Sequence, residues 1–418
     1  MTSALQAISS ETTEYVFAQD AETTLNVALV HDWLTGMRGG EKVLELLCRR
    51  FPAAPLWTLL HIPGTVSRTI ADREIRTSLL QYLPFSNTHY RHYLPLFPLL
   101  AELHKVKDAD LVLSTSHAVA KSMIARRGGR RPYHICYIHT PMRYVWDMFD
   151  EYFGTEKVGY LASRFLFRPI ARLLRTYDRA TVNRVDLFLA NSTYIADCVK
   201  RVYGRHAEVV APPVDTDRFL ALKREPEDWY LIVSAMVPYK RVDQAIRACT
   251  NLGRHLKLVG KGPELEALRK LARDLGADVE FVGFVNDEEL GQYYRRARAL
   301  LFPGVEDFGI VPVEAIACGC PVIAIGVGGI LDSMTPSTAV LYEQPTAEGL
   351  MNAILDFEAR EGSFFEDELR SRATLFSEDN FLKRLEIAIQ RTMAVISPSP
   401  SEPSFLSAAS PALTAQGD

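Results

Sequence analysis

Residues 26–50 read NVALVHDWLTGMRGGEKVLELLCRR. Asn26–Val30 is an unbroken apolar run of strand length. The next residues carry glycines and polar groups, and Gly40–Arg50 (GEKVLELLCRR) then spaces its apolar residues three and four apart. The order is strand, loop, amphipathic helix. The same unit returns at Ala109–Ser114 (ADLVLS), His134–His139 (HICYIH) and Asp186–Ala190 (DLFLA), each followed by a helix-like stretch. Strands that are apolar throughout are covered on both faces, which is the signature of a parallel sheet between helices. The pattern then restarts at Trp229–Ser234, His255–Val259, Val279–Val282, Ala299–Pro303 and Pro321–Ile325, with helices such as Pro263–Leu275 and Glu288–Arg298 between them. The expectation is an α/β chain of two doubly wound, Rossmann-like parallel-sheet domains facing an interdomain cleft. In such folds ligands bind outside the carboxyl ends of the strands.

The boundaries follow from composition. Residues 25–210 form the first expected domain and 229–375 the second. Ala211–Asp228 (APPVDTDRFLALKREPED), rich in Pro and charge, is the expected linker. Residues 376–396 read as a helix crossing back to the first domain. Residues 1–24 and 397–418, rich in Ser, Thr, Ala or Pro with few apolar anchors, read as disordered tails. A chain of 418 residues that is 48% hydrophobic builds such cores without metal or disulfide support. Lys plus Arg number 47 against 51 Asp plus Glu, so the basic excess of a dedicated nucleic-acid binder is absent. No apolar run approaches the ~18 residues of a membrane span. Met1–Ala21 lacks the basic start and apolar centre of a secretory signal. Cys48, Cys136, Cys198, Cys249, Cys318 and Cys320 are scattered, with no CxxC pair. They read as reduced, packed thiols of a cytoplasmic protein rather than a zinc site.

Four strings at strand ends carry chemistry. Glu306-Asp307-Phe308-Gly309-Ile310-Val311-Pro312-Val313-Glu314 follows Ala299–Pro303. Pro312 suits a first helical turn, and Gly309 lets a ligand approach the backbone. The N–H groups of Phe308 to Val311, with the positive end of the helix, make a phosphate cradle. Glu306 and Glu314 accept hydrogen bonds from hydroxyls, which sugars offer. An isolated pair of glutamates would be an acidic helix start, but the whole string after a strand favours a ligand. Ser234 to Arg241 (SAMVPYKR) follows the first strand of the second half, so Lys240 in a cleft would neutralise a diphosphate. His31-Asp32-Trp33 leads to Gly39 and Gly40, where a ligand and a plain glycine turn are equally good readings. His139 ends its strand on the same edge. There is no GxGxxG, no Walker A loop, no nucleophile elbow and no metalloprotease helix. Asp215-Thr216-Asp217, beside Pro212 and Pro213, reads as a cap or hinge rather than a metal site.

Taken together, the strings resemble retaining glycosyltransferases of the large family 4, which have the GT-B fold. The matching pieces are Gly39-Gly40-Glu41, Ala190-Asn191-Ser192, Pro212-Pro213-Val214-Asp215, Pro238-Tyr239-Lys240-Arg241, Val259-Gly260-Lys261-Gly262-Pro263 and Glu306-x7-Glu314, spanning about Asn26 to Arg391. His134–Asp147 (HICYIHTPMRYVWD) is similar to a subgroup of O-antigen and exopolysaccharide mannosyltransferases. The resemblance implies a nucleotide-sugar donor, GDP-mannose, with no cofactor and no metal. It also implies a glycan or lipid-linked glycan acceptor in surface polysaccharide synthesis. It assigns Lys240 to the leaving diphosphate, Glu306 to the donor sugar, Glu314 to the ribose, and the N–H groups of Phe308, Gly309, Ile310 and Val311 to sugar and diphosphate. It places His139 by the transferred sugar, Gly39 and Gly40 against the phosphate from the opposite domain, and Val282 and Phe284 near the base.

One departure stands out. The family's Gly-Arg, five and six places before the Lys, is Ser234-Ala235 here, which removes a bidentate phosphate donor. Arg241, next to Lys240, is the expected substitute. For the acceptor, Leu79–Leu103 mixes aromatics, Pro and Leu, and Leu161–Arg179 spaces Arg164, Arg168, Arg172, Arg175 and Arg179 by four or three. That spacing predicts one basic helical face, suited to an anionic membrane at the inner side of the cytoplasmic membrane or simply to solvent. Three other readings stay open: a UDP-sugar donor in the same fold, an epimerase or phosphorylase, and a non-catalytic sugar-nucleotide-binding subunit.

Overall fold

A computed structural model describes residues 25–221 and 223–396; both expected tails lie outside the described residues. The first domain holds β1 (Val27–His31), β2 (Leu56–Thr58), β3 (Ile75–Thr77), β4 (Val106–Lys107), β5 (Leu111–Ser116), β6 (Ala125–Arg126), β7 (Tyr133–Ile138), β8 (Leu187–Ala190) and β9 (Ala207–Val209). Seven of them form one parallel sheet in the order β3-β2-β1-β5-β7-β8-β9, while β4 pairs with β6 apart from it. The second domain holds β10 (Tyr230–Val233), β11 (Leu256–Val259), β12 (Val279–Gly283), β13 (Leu300–Phe302), β14 (Val322–Ile325) and β15 (Ala339–Tyr342), in the parallel order β12-β11-β10-β13-β14-β15. The sequence-predicted strands are all present, with ends shifted by one or two residues. The strands not foreseen are mostly short or lie at sheet edges, such as β3, β9 and β15.

Central strands are buried on both faces, and largely apolar, because alternate residues serve opposite cores. In β1, Ala28 and Val30 enter one buried cluster and Leu29 enters the other. In β10, Tyr230 and Ile232 face one cluster and Leu231 the other. The helix Glu378–Ile396 completes the first domain: Phe381, Leu385, Ala388 and Ile389 pack with Leu44, Leu113, Ile135 and Tyr137 in a single cluster. Burial of side chains of this kind contributes about 1.5–3 kcal/mol each. Arg49–Glu378 and Arg50–Glu386, each 2.6 Å, pin the same helix to the helix Gly39–Arg50. The chain crosses between domains twice at one place, where Val214 N donates to Phe376 O (2.9 Å). Ala211–Asp228 is no free tether after that crossing. Val214 and Phe219 are buried in the second domain's core, and the Arg224 guanidinium donates to the carbonyls of Tyr294, Arg295 and Arg298.

The predicted row of five arginines divides. A π-helical turn, Ser163–Phe167, precedes the helix Arg168–Ala180. Arg175 and Arg179 are tied down, donating to Val145 O and Val202 O and lying over the Trp146 ring. Only Arg164, Arg168 and Arg172 of the row remain on the outer face without such backbone bonds, and they sit among exposed Tyr160, Leu161, Phe165, Leu166 and Leu173. Leu79, Tyr82, Phe85, Leu99 and Leu103 are likewise exposed. Both segments also bury residues, among them Leu80, Leu100, Ala171 and Leu174, in the same cluster. No described helix is long and apolar enough to cross a membrane.

Candidate active site in the interdomain cleft

The carboxyl ends of both sheets meet across the cleft. On the second domain, β13 ends at Phe302 and the chain turns through Gly304. A Cβ on Gly304 would lie 2.8 Å from Lys240 Cα, so only glycine lets the turn Pro238–Lys240 come this close. Gly309, at φ +90°, caps the helix Ile310–Ala317. Its backbone rests on the Phe302 ring, and Phe308 is buried against Phe376, so the side chains anchor the loop from below. The first-turn N–H groups of that helix have no partner within it, and a helix start of this kind can receive an anion.

Lys240 and Glu306 form an ion pair, with the ammonium also over the Phe302 ring. Burial, and then the nearby Arg143 guanidinium, push Lys240 down to about 8. Glu314 is buried. It accepts from the Tyr294 hydroxyl (2.9 Å) and meets Lys42 Nζ, from the first domain, at 3.4 Å. Val282 and Phe284 lie at the end of the edge strand β12. There Gly260 N donates to Gly283 O (2.7 Å), and Phe284 is 73% exposed with Lys261 over its ring.

The first domain supplies the facing wall. A Cβ on Gly39 would lie 3.1 Å from Ile310 Cδ1, and one on Gly40 would lie 3.3 Å from His139 Nε2. The two glycines therefore let this helix start abut both the opposite domain and His139. Burial, then His117 and His31, push the His139 imidazole down to about 3, so the ring is neutral. Asn191 Nδ2 donates to His139 O (3.0 Å). Behind them Asp32, fully buried, accepts the N–H groups of His117, Ala118, Val119 and Ala120 at 2.6–2.9 Å. Its role is to fold the loop after β5.

Several contacts in this site were not foreseen from sequence. Arg143 pairs with Asp307 across the cleft, and Ser192 Oγ donates to Asp307 O. Thr193 N reaches the Asp332 carboxylate (2.5 Å). Arg241 takes a left-handed backbone conformation (φ 53°) and its side chain lies 3.9 Å from Asp243, whereas the guanidinium beside Lys240 is that of Arg143. The signal for Arg143 lay in the string His139–Asp147, which was read for its histidine.

Comparison with known proteins agrees with this geometry. The family model for Glycosyltransferase Family 4 matches residues 37–218, and that for Glycosyl transferases group 1 matches residues 214–374. The GDP-mannose-dependent alpha-(1-6)-phosphatidylinositol monomannoside mannosyltransferase of Mycolicibacterium smegmatis is 35% identical over 199 residues, 40% of this chain and 51% of the relative. The D-inositol 3-phosphate glycosyltransferase of Mycobacteroides abscessus is 31% identical over 233 residues, 50% of this chain and 53% of the relative. The chain thus spans about half the length of the curated relatives it matches. The crystal structure of Anabaena HepE in complex with UDP superposes with a TM-score of 0.63 at 16% identity, covering 88% of this chain and all of that one, a likeness of fold. With two family models running almost end to end from residue 37 to 374 over a shared two-domain architecture, the chain belongs to the family 4, group 1 glycosyltransferases of GT-B fold.

Proposed function

We propose that the protein transfers mannose from GDP-mannose, with retention of configuration, to a glycan or lipid-linked glycan acceptor during surface polysaccharide synthesis. The observation that carries the reading is the convergence at one cleft of the Gly309–Ile310 cradle and the Lys240–Glu306 pair with Gly39, Gly40 and His139. Glu314 would take the ribose hydroxyls, Glu306 the sugar, and the N–H groups of Phe308 to Val311 the sugar and diphosphate. Val282 and Phe284 would border the base. The bond from the sugar's anomeric carbon to the phosphate oxygen breaks while the acceptor oxygen bonds to that carbon on the same face. The acceptor's proton passes to the leaving diphosphate. This chemistry asks for charge and positioning rather than a protein nucleophile. Lys240 supplies the charge, so the reaction needs no metal and no cofactor. Neutral His139 can donate or accept a hydrogen bond at the transferred sugar without adding charge.

The exposed apolar side chains around Arg164, Arg168 and Arg172 support peripheral attachment of a cytoplasmic protein to the anionic inner face of the membrane, where a lipid-linked acceptor resides. The phosphatidylinositol-linked acceptor in the name of the Mycolicibacterium relative favours an acceptor of this class. Calorimetric titration with GDP-mannose, UDP-glucose and UDP-N-acetylglucosamine, with and without Mg²⁺, tests the donor. Selective, metal-independent binding of GDP-mannose is expected, and selective binding of a UDP-sugar would overturn the donor while keeping the transferase. Binding of a sugar nucleotide without turnover on any lipid-linked acceptor would leave a non-catalytic subunit.

A further inference from the structure

We propose that Arg143 is the second cation of the diphosphate site, held by Asp307 while the cleft is empty and handed to the donor's phosphates when it fills. The inference rests on the donor reading above and deepens it. Asp307 stands between Glu306 and the N–H cradle of Phe308 to Val311, so the guanidinium paired with it lies at the cradle's mouth. The pair bridges the two domains and is largely withdrawn from solvent, with side-chain exposures of 26% and 22%. Lys240 is close enough to feel the Arg143 charge. In the empty cleft each cation is met by a carboxylate, Lys240 by Glu306 and Arg143 by Asp307, and a ligand bearing two or more negative charges can draw both cations onto itself. A planar guanidinium also matches phosphate oxygens two at a time.

The second domain offers no such group where β10 ends. Ser234 and Ala235 occupy the turn, and Arg241 lies against Asp243. Arg143 is itself firmly founded. It opens a short helix whose Val145 is buried and whose carbonyl at 145 accepts from Arg175. Ser192 Oγ holds the Asp307 carbonyl independently, so the Asp307 loop keeps an anchor when the Arg143 side chain departs. The exchange is one ion pair for another within the same cleft, and no residue need travel far.

The two halves of the ion pair should act in opposite directions. Titration of GDP and UDP into the full chain is expected to show Arg143→Gln loosening the preferred nucleoside diphosphate by about tenfold or more, with Arg143→Lys between it and wild type. Asp307→Asn, which frees the guanidinium, should tighten the same ligand by about two- to fivefold. Thermal unfolding of each variant confirms that the fold persists. If Arg143→Gln and Asp307→Asn weaken binding alike, the pair is an interdomain strut and the proposal is overturned. If Arg143→Gln binds as wild type while Lys240→Ala does not, the proposal falls and the donor reading stands. If wild type binds neither GDP nor UDP, the donor reading falls first and the inference with it.

Discussion

The two walls of the cleft are built in different ways. The second-domain wall comes from short loops whose backbones touch: Gly304 against Lys240, Gly309 over Phe302, Gly329 N on Glu306 O. Its pieces all belong to one domain that is continuous in sequence, from β10 to β15. The first-domain wall is assembled from segments far apart in the chain, namely Gly39–Gly40, His139–Arg143 and Asn191–Thr193, and its sheet is closed by the helix Glu378–Ile396. The loops proposed to hold the donor sit on the continuous second-domain wall. Arg143 and the exposed apolar surface sit on the wall that depends on long-range assembly.

The largest test of that contrast lies in the returning helix. Phe381→Ala removes a buried ring packed 5.5 Å from Tyr137 and should cost about 3–5 kcal/mol of stability by denaturant unfolding. The first domain should loosen before the second, and uniform loss across both would break the comparison. Lys240→Ala should lower kcat about 10²–10³-fold with little change in unfolding midpoint, as steady-state kinetics and calorimetry would show. Because Lys240 is pushed from 10.5 to about 8, its charge is lost above about pH 8, and nucleoside-diphosphate affinity should fall there. The stability change runs the other way. Between about 8 and 10.5 the unfolded chain holds this proton and the folded chain does not, so the stability difference between wild type and Lys240→Met should move in favour of wild type as pH rises. Gly304→Ala, whose Cβ would meet Lys240 Cα at 2.8 Å, should cost about 1–3 kcal/mol and displace the lysine, read as a higher KM for donor. Smallest is the outer surface. Charge reversal at Arg168 and Arg172 should weaken flotation with anionic vesicles about fivefold per arginine and leave donor affinity unchanged.

The same contrast explains what was legible in the sequence. β1, β5, β7 and β10 announce themselves because both faces are buried and most of each run is apolar, the few polar members such as Ser114 and His134 being buried with it. Leu56–Thr58 and Ala207–Val209 do not, since three residues carry no readable period and tertiary pairing alone makes them strands. Gly309 and Pro312 disclose the cradle through local backbone demands. Arg143 and Lys42 gain their meaning only from a carboxylate 164 or 272 residues away. Arg241 shows that adjacency to Lys240 alone does not place a side chain: its backbone is left-handed and its guanidinium lies 3.9 Å from Asp243. The arginine row misled because helical spacing places residues on a face without saying that Trp146 covers part of it.

The returning helix also sets an order of assembly. Residues 378–396 are synthesised after the whole second domain, so the first domain leaves the ribosome with Leu44, Leu113 and Ile135 lacking their final cover. The second domain, continuous in sequence, can finish while its predecessor waits. Maturation therefore proceeds from the middle of the chain outward, and a nascent chain stalled before residue 378 should expose an apolar face that chaperones recognise.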